Sequence, residues 1–264
     1  MKQSQVGTSE IPKNPFVVED LRDKLALKKD YKNFKKTYSS KYPEIKAVNT
    51  NVFWNEKFKE PQNYDSLDLM TKEKIDTIIS FLPNRKTRIL DLGVGQGYLE
   101  QRLQEIGRGY ELYGIDISEK AIARLNETFK GSFNVGDVLE IKSYYKNNYF
   151  DVIVAVELTE HISPRKILSF FRDIHGLLKP SGIFILSTPL NEKLRLMKEN
   201  PSSHVREYTY QIINAELKVS GFKILEGRYF FAFKNLYSIK KIIAKLFPNW
   251  WEPNNVVVRA VKFG

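Results

Sequence analysis

Apolar residues cluster along this chain in short runs that end on an acid or a glycine, with helical spacings between them. The first run, Ile89-Leu90 with Leu92, lies between Pro83 and Gly93 and reads as a buried parallel strand. Tyr98, Leu99, Leu103 and Ile106 then recur at helical spacing and stop at Gly107. A second strand is expected from Glu111 to Asp116, and Ser118 is placed to cap a helix with Ile122, Leu125 and Phe129 on one face. Residues 132–137 predict a third strand closing on Asp137. Residues 150–156 predict a fourth, apolar almost throughout, and 183–187 a fifth after Lys179-Pro180-Ser181-Gly182. Further helices are expected over 69–82 (stripe Met70, Ile75, Ile78, Ile79, Leu82), from Ser163-Pro164 onward (Ile167, Leu168, Phe171, Ile174, Leu178), and from Thr209 to Gly221. Strands alternating with helices predict an α/β fold.

Two regions lie outside that alternation. Residues 1–66 form an amino-terminal arm before a domain spanning 67–264. Within the arm, 18–38 is lysine-rich with scattered leucines and aromatics, and reads as a helix with a mostly solvated face. Val52-Phe53-Trp54 and Phe58 form an aromatic cluster expected to pack the arm onto the domain, with a lid over the site as the other reading. Tyr64 is a similar lid candidate. The second region is an insertion at 235–253, between two runs at 222–233 and 255–262. Leu236, Ile239, Ile242, Ile243, Leu246 and Phe247 share one helical face there, with Lys240, Lys241 and Lys245 off it and Trp250-Trp251 following. An apolar stripe is the ordinary signature of a core-facing helix, so a cap packed on the domain is expected, its tryptophans lining the pocket. The same composition would also suit peripheral contact with a membrane interface.

Composition narrows the classes. A chain of 264 residues can bury one good core plus a small cap. It contains no cysteine, which excludes disulfides, cysteine-zinc sites and thiol nucleophiles. A polar amino terminus and the lack of a bilayer-length apolar run predict a cytoplasmic protein. The net charge of +11 favours anionic partners or simply a solvated lysine surface, and decides nothing alone. No basic run is interleaved with aromatics as single-strand nucleic-acid binders use them.

The glycine turn carries the chemistry. The dinucleotide pattern G-x-G-x-x-G fails, because its third glycine would fall on Tyr98. What stands here is Asp91-x-Gly93-x-Gly95-x-Gly97, which resembles motif I of the Rossmann-like (class I) methyltransferases that use S-adenosylmethionine (SAM). Asp116 lies at about the separation at which an acid binds ribose hydroxyls in such folds. The resemblance covers about 71–223. It implies a three-layer α/β/α sandwich with a mostly parallel seven-stranded sheet, the last two strands antiparallel. It also implies that Asp91, Gly93, Gly95 and Gly97 cradle the methionine end of SAM, that Asp116 holds the ribose and Asp137 the adenine. Ile117, Val138 and Val156 would complete the cofactor pocket, and the product would be S-adenosylhomocysteine.

SAM is already an activated electrophile, so the protein must align a nucleophile at about 3 Å and exclude water. An alcohol acceptor needs a base or a metal as well. Glu157, Glu160 and His161 form E-x-x-E-H after the fourth strand, with His204 downstream. The ubiquinone-biosynthesis O-methyltransferases carry a similar motif. The enzymes that 2′-O-methylate the 3′ end of small RNAs use one with a later histidine to bind a metal. Two carboxylates and two imidazoles would suit Mg or Mn, but His161 as base, with His204 second, is the preferred reading, and no metal ligand is assigned. His204 to Thr209 resembles a stretch of bacterial methyltransferases of sugar, glycan and lipid precursors. His175, inside an amphipathic helix, is expected to be a surface or packing histidine. The expected function is therefore O-methylation of a small molecule, sugar or lipid-linked precursor. A metal-dependent RNA 2′-O-methyltransferase and a non-catalytic SAM-binding partner subunit are the alternatives.

Overall fold

The computed structural model describes residues 49–192, 203–247 and 250–263; the arm helix expected at 18–38 lies outside them. Seven strands form one sheet in the order β3-β2-β1-β4-β5-β7-β6. They are β1 Arg88–Leu92, β2 Glu111–Asp116, β3 Ser132–Val135, β4 Phe150–Val156, β5 Leu178–Pro189, β6 Phe222–Phe230 and β7 Asn255–Lys262. The first five are mutually parallel, and β7 runs antiparallel to both β5 and β6. The helices are α1 Asn51–Lys57, α2 Leu69–Phe81, α3 Tyr98–Ile106, α4 Glu119–Thr128, α5 Ile141–Tyr144, α6 Ile167–Leu177, α7 Tyr210–Val219 and α8 Tyr237–Leu246.

The sheet is buried on both faces, which is why its central strands read as continuous apolar runs. One core packs Leu90, Leu92, Ile153 and Phe184 against α6 and α7. The other packs Ile89, Val152, Val154 and Ile185 against α2, α3 and α4. Local signals set the ends of several helices: Asp68, Ser118 and Thr209 cap α2, α4 and α7 with their side chains.

Several boundaries differ from the sequence expectation. Strand β5 is longer than 183–187 because pairing with β7 carries it on to Pro189, opposite Asn255. Helix α6 starts at Ile167, since 163–166 form a turn in which Ser163 O accepts from the Lys166 and Ile167 amides. Tyr64 is no lid: its ring is buried in the second core and its hydroxyl donates to Asp76. His175 does pack, its ring 5.4 Å from that of Phe222.

Register decides where the acids go. Asp91 lies opposite Gly114 and Val154, and Asp116 opposite Val135, so the acids stand at the carboxyl ends of adjacent parallel strands. That edge is where open α/β sheets bind ligands.

Candidate active site

A cavity of about 690 Å³ opens at this edge, lined among others by Asp91, Gly93, Gly95, Asp116, Ile117, Asp137, Val138, Val156, His161 and His204. The turn from β1 to α3 explains its glycines. Gly95 and Gly97 have φ of +51° and +78°, a backbone that a side chain would strain. Space is tight too: a Cβ on Gly95 would lie 3.2 Å from Phe58 Cζ, so that ring would have to shift by a few tenths of an ångström. Asp116 braces this turn: Oδ2 accepts from the Gly95 amide at 3.0 Å and Oδ1 from Ser118 at 2.8 Å. A carboxylate can accept further bonds, so these do not preclude a ligand hydroxyl.

Asp91 is buried, and the side chain of Glu100 is its one side-chain hydrogen-bond partner among the described residues. It faces Glu100, on the inward side of α3. Burial, then the Glu100 charge, push Asp91 well above the ordinary carboxylate range; burial pushes Glu100 up to about 7. Burial thus disfavours the ionised form of both facing acids. Sequence reading missed Glu100, though an acid on the apolar face of Leu99 and Leu103 was a visible signal.

The second group follows β4. Glu160 is buried; Oε2 accepts from the Thr188 hydroxyl at 3.0 Å and Oε1 has no hydrogen-bond partner. Burial, then the nearby Glu157 charge, raise its carboxyl well above the usual value. His161 Nδ1 lies 3.2 Å from the Ser203 carbonyl, which can only accept. Nδ1 therefore carries the hydrogen in the neutral ring, and Nε2 keeps its lone pair. Burial, then His204, lower the His161 pKa to about 4, so the ring is neutral at physiological pH. His204 stacks edge-on at 4.9 Å, its Nδ1 2.7 Å from Glu192. Ligand atoms of Glu160, His161 and His204 all lie within 4.8 Å of one another.

Glu157 does not join this group. It sits at φ +50°, and its carboxylate takes the Ser187 hydroxyl at 2.7 Å, the Asn255 amide at 2.9 Å and Lys74 at 3.2 Å. Burial alone would raise its pKa, but Lys74, Ser187 and Asn255 together hold it below the ordinary value. These contacts tie Glu157 to β5, β7 and α2 while it also lines the cavity, so whether it joins the catalytic groups rests on the proposal below. Asp137, which is exposed, caps the turn Val138–Glu140 by accepting from the Leu139 amide at 2.8 Å.

The arm contributes side chains that sequence reading left as packing. Helix α1 lies over the pocket, pinned by Asn55 to the Ser118 hydroxyl at 2.8 Å and by Arg124 to the Phe58 carbonyl at 3.1 Å. Trp54 meets the His161 ring edge-on at 4.9 Å, and Asn49 donates to the carbonyls of His161 and Ser203. Trp54, Lys57 and Phe58 all line the cavity.

A sequence family described as a methyltransferase domain matches residues 67–226. The chain belongs to the SAM-dependent methyltransferases. The ubiquinone biosynthesis O-methyltransferase of Pelagibacter ubique is 31% identical to it over 173 residues, covering 61% of this chain and 64% of that one. The cyclopropane-fatty-acyl-phospholipid synthase of Escherichia coli is 30% identical over 135 residues, covering 50% and 34%. The human mitochondrial arginine-hydroxylase NDUFAF5 is 29% identical over 136 residues, covering 50% and 37%. The match thus spans between about a third and two thirds of each relative's length. A SAM-dependent methyltransferase structure from Archaeoglobus fulgidus superposes with a TM-score of 0.59 at 19% identity, over 80% of this chain and 99% of that one, and shares the fold.

SAM is the methyltransferase's cofactor, and the site fits it. The buried Asp91 carboxyl lines the cavity and offers an acidic group to a cationic ligand, and the glycine turn lets backbone approach closely. The raised titration of Glu100 beside Asp91 has a consequence. A cation favours the deprotonated pair, so SAM should bind more tightly as pH rises from 6 through about 7, releasing a proton. Calorimetry in buffers of different ionisation enthalpy reads that proton directly, and Glu100→Gln should abolish the release. Without ligand the sign is opposite for stability: Glu100 titrates at about 7 folded against 4.5 in its unperturbed form. The contribution of Glu100 to stability is lost as pH rises through that window.

Proposed function

We propose that the enzyme methylates an oxygen of a small molecule, sugar or lipid-linked precursor, with His161 receiving the acceptor's proton. The observation that carries this reading is the His161 tautomer: Nδ1 is committed to the Ser203 carbonyl, leaving Nε2 to accept. When bound, SAM supplies a sulfonium-activated methyl group and leaves as S-adenosylhomocysteine. The hydroxyl proton departs as the new carbon–oxygen bond forms, when the oxygen is strongly acidic, so a weakly basic imidazole suffices provided it is neutral. Asp91 and the glycine turn would hold the methionine end, Asp116 the ribose and Asp137 the adenine end, with Ile117, Val138 and Val156 against the cofactor. His204, oriented by Glu192, would position the acceptor. Trp54 and Phe58 on α1 would act as a lid that excludes water. The acceptor class is supported by relatives named for ubiquinone biosynthesis and for fatty-acyl phospholipid.

A second reading rests on the same three side chains. Glu160, His161 and His204 are close enough to share a divalent cation, which would acidify the acceptor hydroxyl instead and would suit an RNA 2′-O-methyltransferase. The base is preferred because His161 already offers a neutral accepting nitrogen at the site, held by the Ser203 carbonyl. Methyl transfer from labelled SAM into fractionated cell extract, with and without chelator, separates the two. Label in a lipid, glycan or small-molecule fraction that resists chelator is expected. Label in small RNA, lost with chelator and with rising salt, would overturn the first reading.

A further inference from the structure

Helix α8 is mounted with its apolar face outward. Ile239, Ile242 and Leu246 are 55%, 60% and 68% exposed, and Leu236 before the helix is 65% exposed. Phe247 and Trp250 extend the stripe, stacked at 4.4 Å and both exposed. The face turned to the protein is the less apolar one. Tyr237 donates to Glu73 at 2.7 Å, Lys241 pairs with the same carboxylate, and Ala244 is the one buried residue of the helix. This reverses the expectation of a cap with its stripe in the core, and neither tryptophan lines the cavity.

A water-soluble domain does not ordinarily hold an amphipathic helix by its polar edge. The helix is about 15 Å long, so its apolar face is far smaller than the roughly 800 Å² per partner of a standard protein interface. Lysines border that face. At 100° per residue Lys240 falls on one edge of the stripe and Lys245 on the other, and the whole chain carries +11. An apolar strip with lysine margins and an exposed tryptophan complements the acyl–headgroup boundary of an anionic bilayer. No helix among the described residues is long and apolar enough to cross a membrane, so this would be contact from one side.

Topology gives the contact a purpose. The insertion leaves β6 at Phe230 and rejoins at Asn255, which pairs with Pro189 at the end of β5. It therefore rises from the same edge of the sheet as the cavity, and Glu73, its anchor, neighbours the cavity residue Lys74. We propose that α8, with the stacked Phe247 and Trp250 rings, docks the enzyme on anionic phospholipid, setting the cavity mouth beside the bilayer. The consequence for substrate, an acceptor with a lipid anchor, rests on the methyltransferase reading above; the docking itself does not.

The test is flotation of the full chain with vesicles of phosphatidylcholine alone or with added phosphatidylglycerol. Binding to the anionic vesicles at least tenfold tighter than to the neutral ones is expected. Ile242→Glu/Leu246→Glu should lose at least tenfold of it, with melting temperature and SAM affinity unchanged. Trp250 emission should shift to the blue with vesicles, and Trp250→Phe should remove that shift. Equal flotation of the double variant, or no flotation of the wild type, overturns the proposal. So does a concentration-dependent dimer that the same double variant abolishes, which would make the face an interface between copies. Docking without methylation of any lipid-anchored acceptor would count against the acceptor class alone.

Discussion

His161→Ala will lower turnover by about 10²–10⁴-fold while SAM affinity changes by about twofold or less. The imidazole is the neutral ring whose Nδ1 is held by the Ser203 carbonyl, and the cofactor turn is built elsewhere, by Asp91, Asp116 and the glycines. His161→Asn is the sharper variant. Its amide can still donate to Ser203, so the local fold is kept while the accepting nitrogen is lost; its turnover should fall as far as that of the alanine variant. Equal loss of turnover and SAM affinity in both would remove His161 from the proton-accepting role. The pH profile has a definite sign. With a folded pKa near 4, the ring stays unprotonated through the neutral range, so its acid limb should lie near 4 rather than 6.5. The contribution of His161 to stability moves the same way: the folded state resists its protonation, so that contribution is lost as pH falls from about 6.5 to about 4, opposing the contribution of Glu100 in the same window.

Arg206→Ala will destabilise the fold by about 3–5 kcal/mol, because it leaves the Glu216 carboxylate buried without its guanidinium. The two side chains are 3% and 0% exposed, and the guanidinium also stacks on Tyr208 at 4.4 Å. For a chain of this size that corresponds to a fall in melting temperature on the order of 10 °C. Calorimetry or circular dichroism would measure it. Arg206→Met with Glu216→Leu, which removes both charges, should recover most of the loss. A single variant melting within a degree or two of wild type would refute the assignment. This pair ties segment 203–209 to α7, and that segment carries the Ser203 carbonyl and His204. Loss of the pair should therefore also loosen the hold on His161.

The five parallel strands, the glycine turn and the acids Asp91, Asp116 and Asp137 were legible in the chain, because each is a local pattern. A strand buried on both faces is apolar along its length, and a turn that needs positive φ needs glycine. Helix starts were less legible: Ser163-Pro164 looked like the start of α6, yet the turn they make delays it to Ile167. Partnerships across the sheet were not legible at all. Glu157 and Glu160 are three residues apart in one motif with opposite fates. Asn255, 98 positions away, helps draw Glu157 into structure, while Glu160 stays beside His161 and His204. Glu100 became a partner of Asp91 only when α3 packed on β1. The stripe of α8 was visible in its periodicity, which fixes which residues share a face. Which way that face points depends on what else can hold the helix, and here Glu73 holds its polar edge. The sequence by itself determined the fold, the cofactor and the residue types of the site. Only the tertiary structure decided which acids burial pushes toward their neutral form, which histidine nitrogen can accept, and that an apolar helix looks outward, because all three depend on groups distant along the chain.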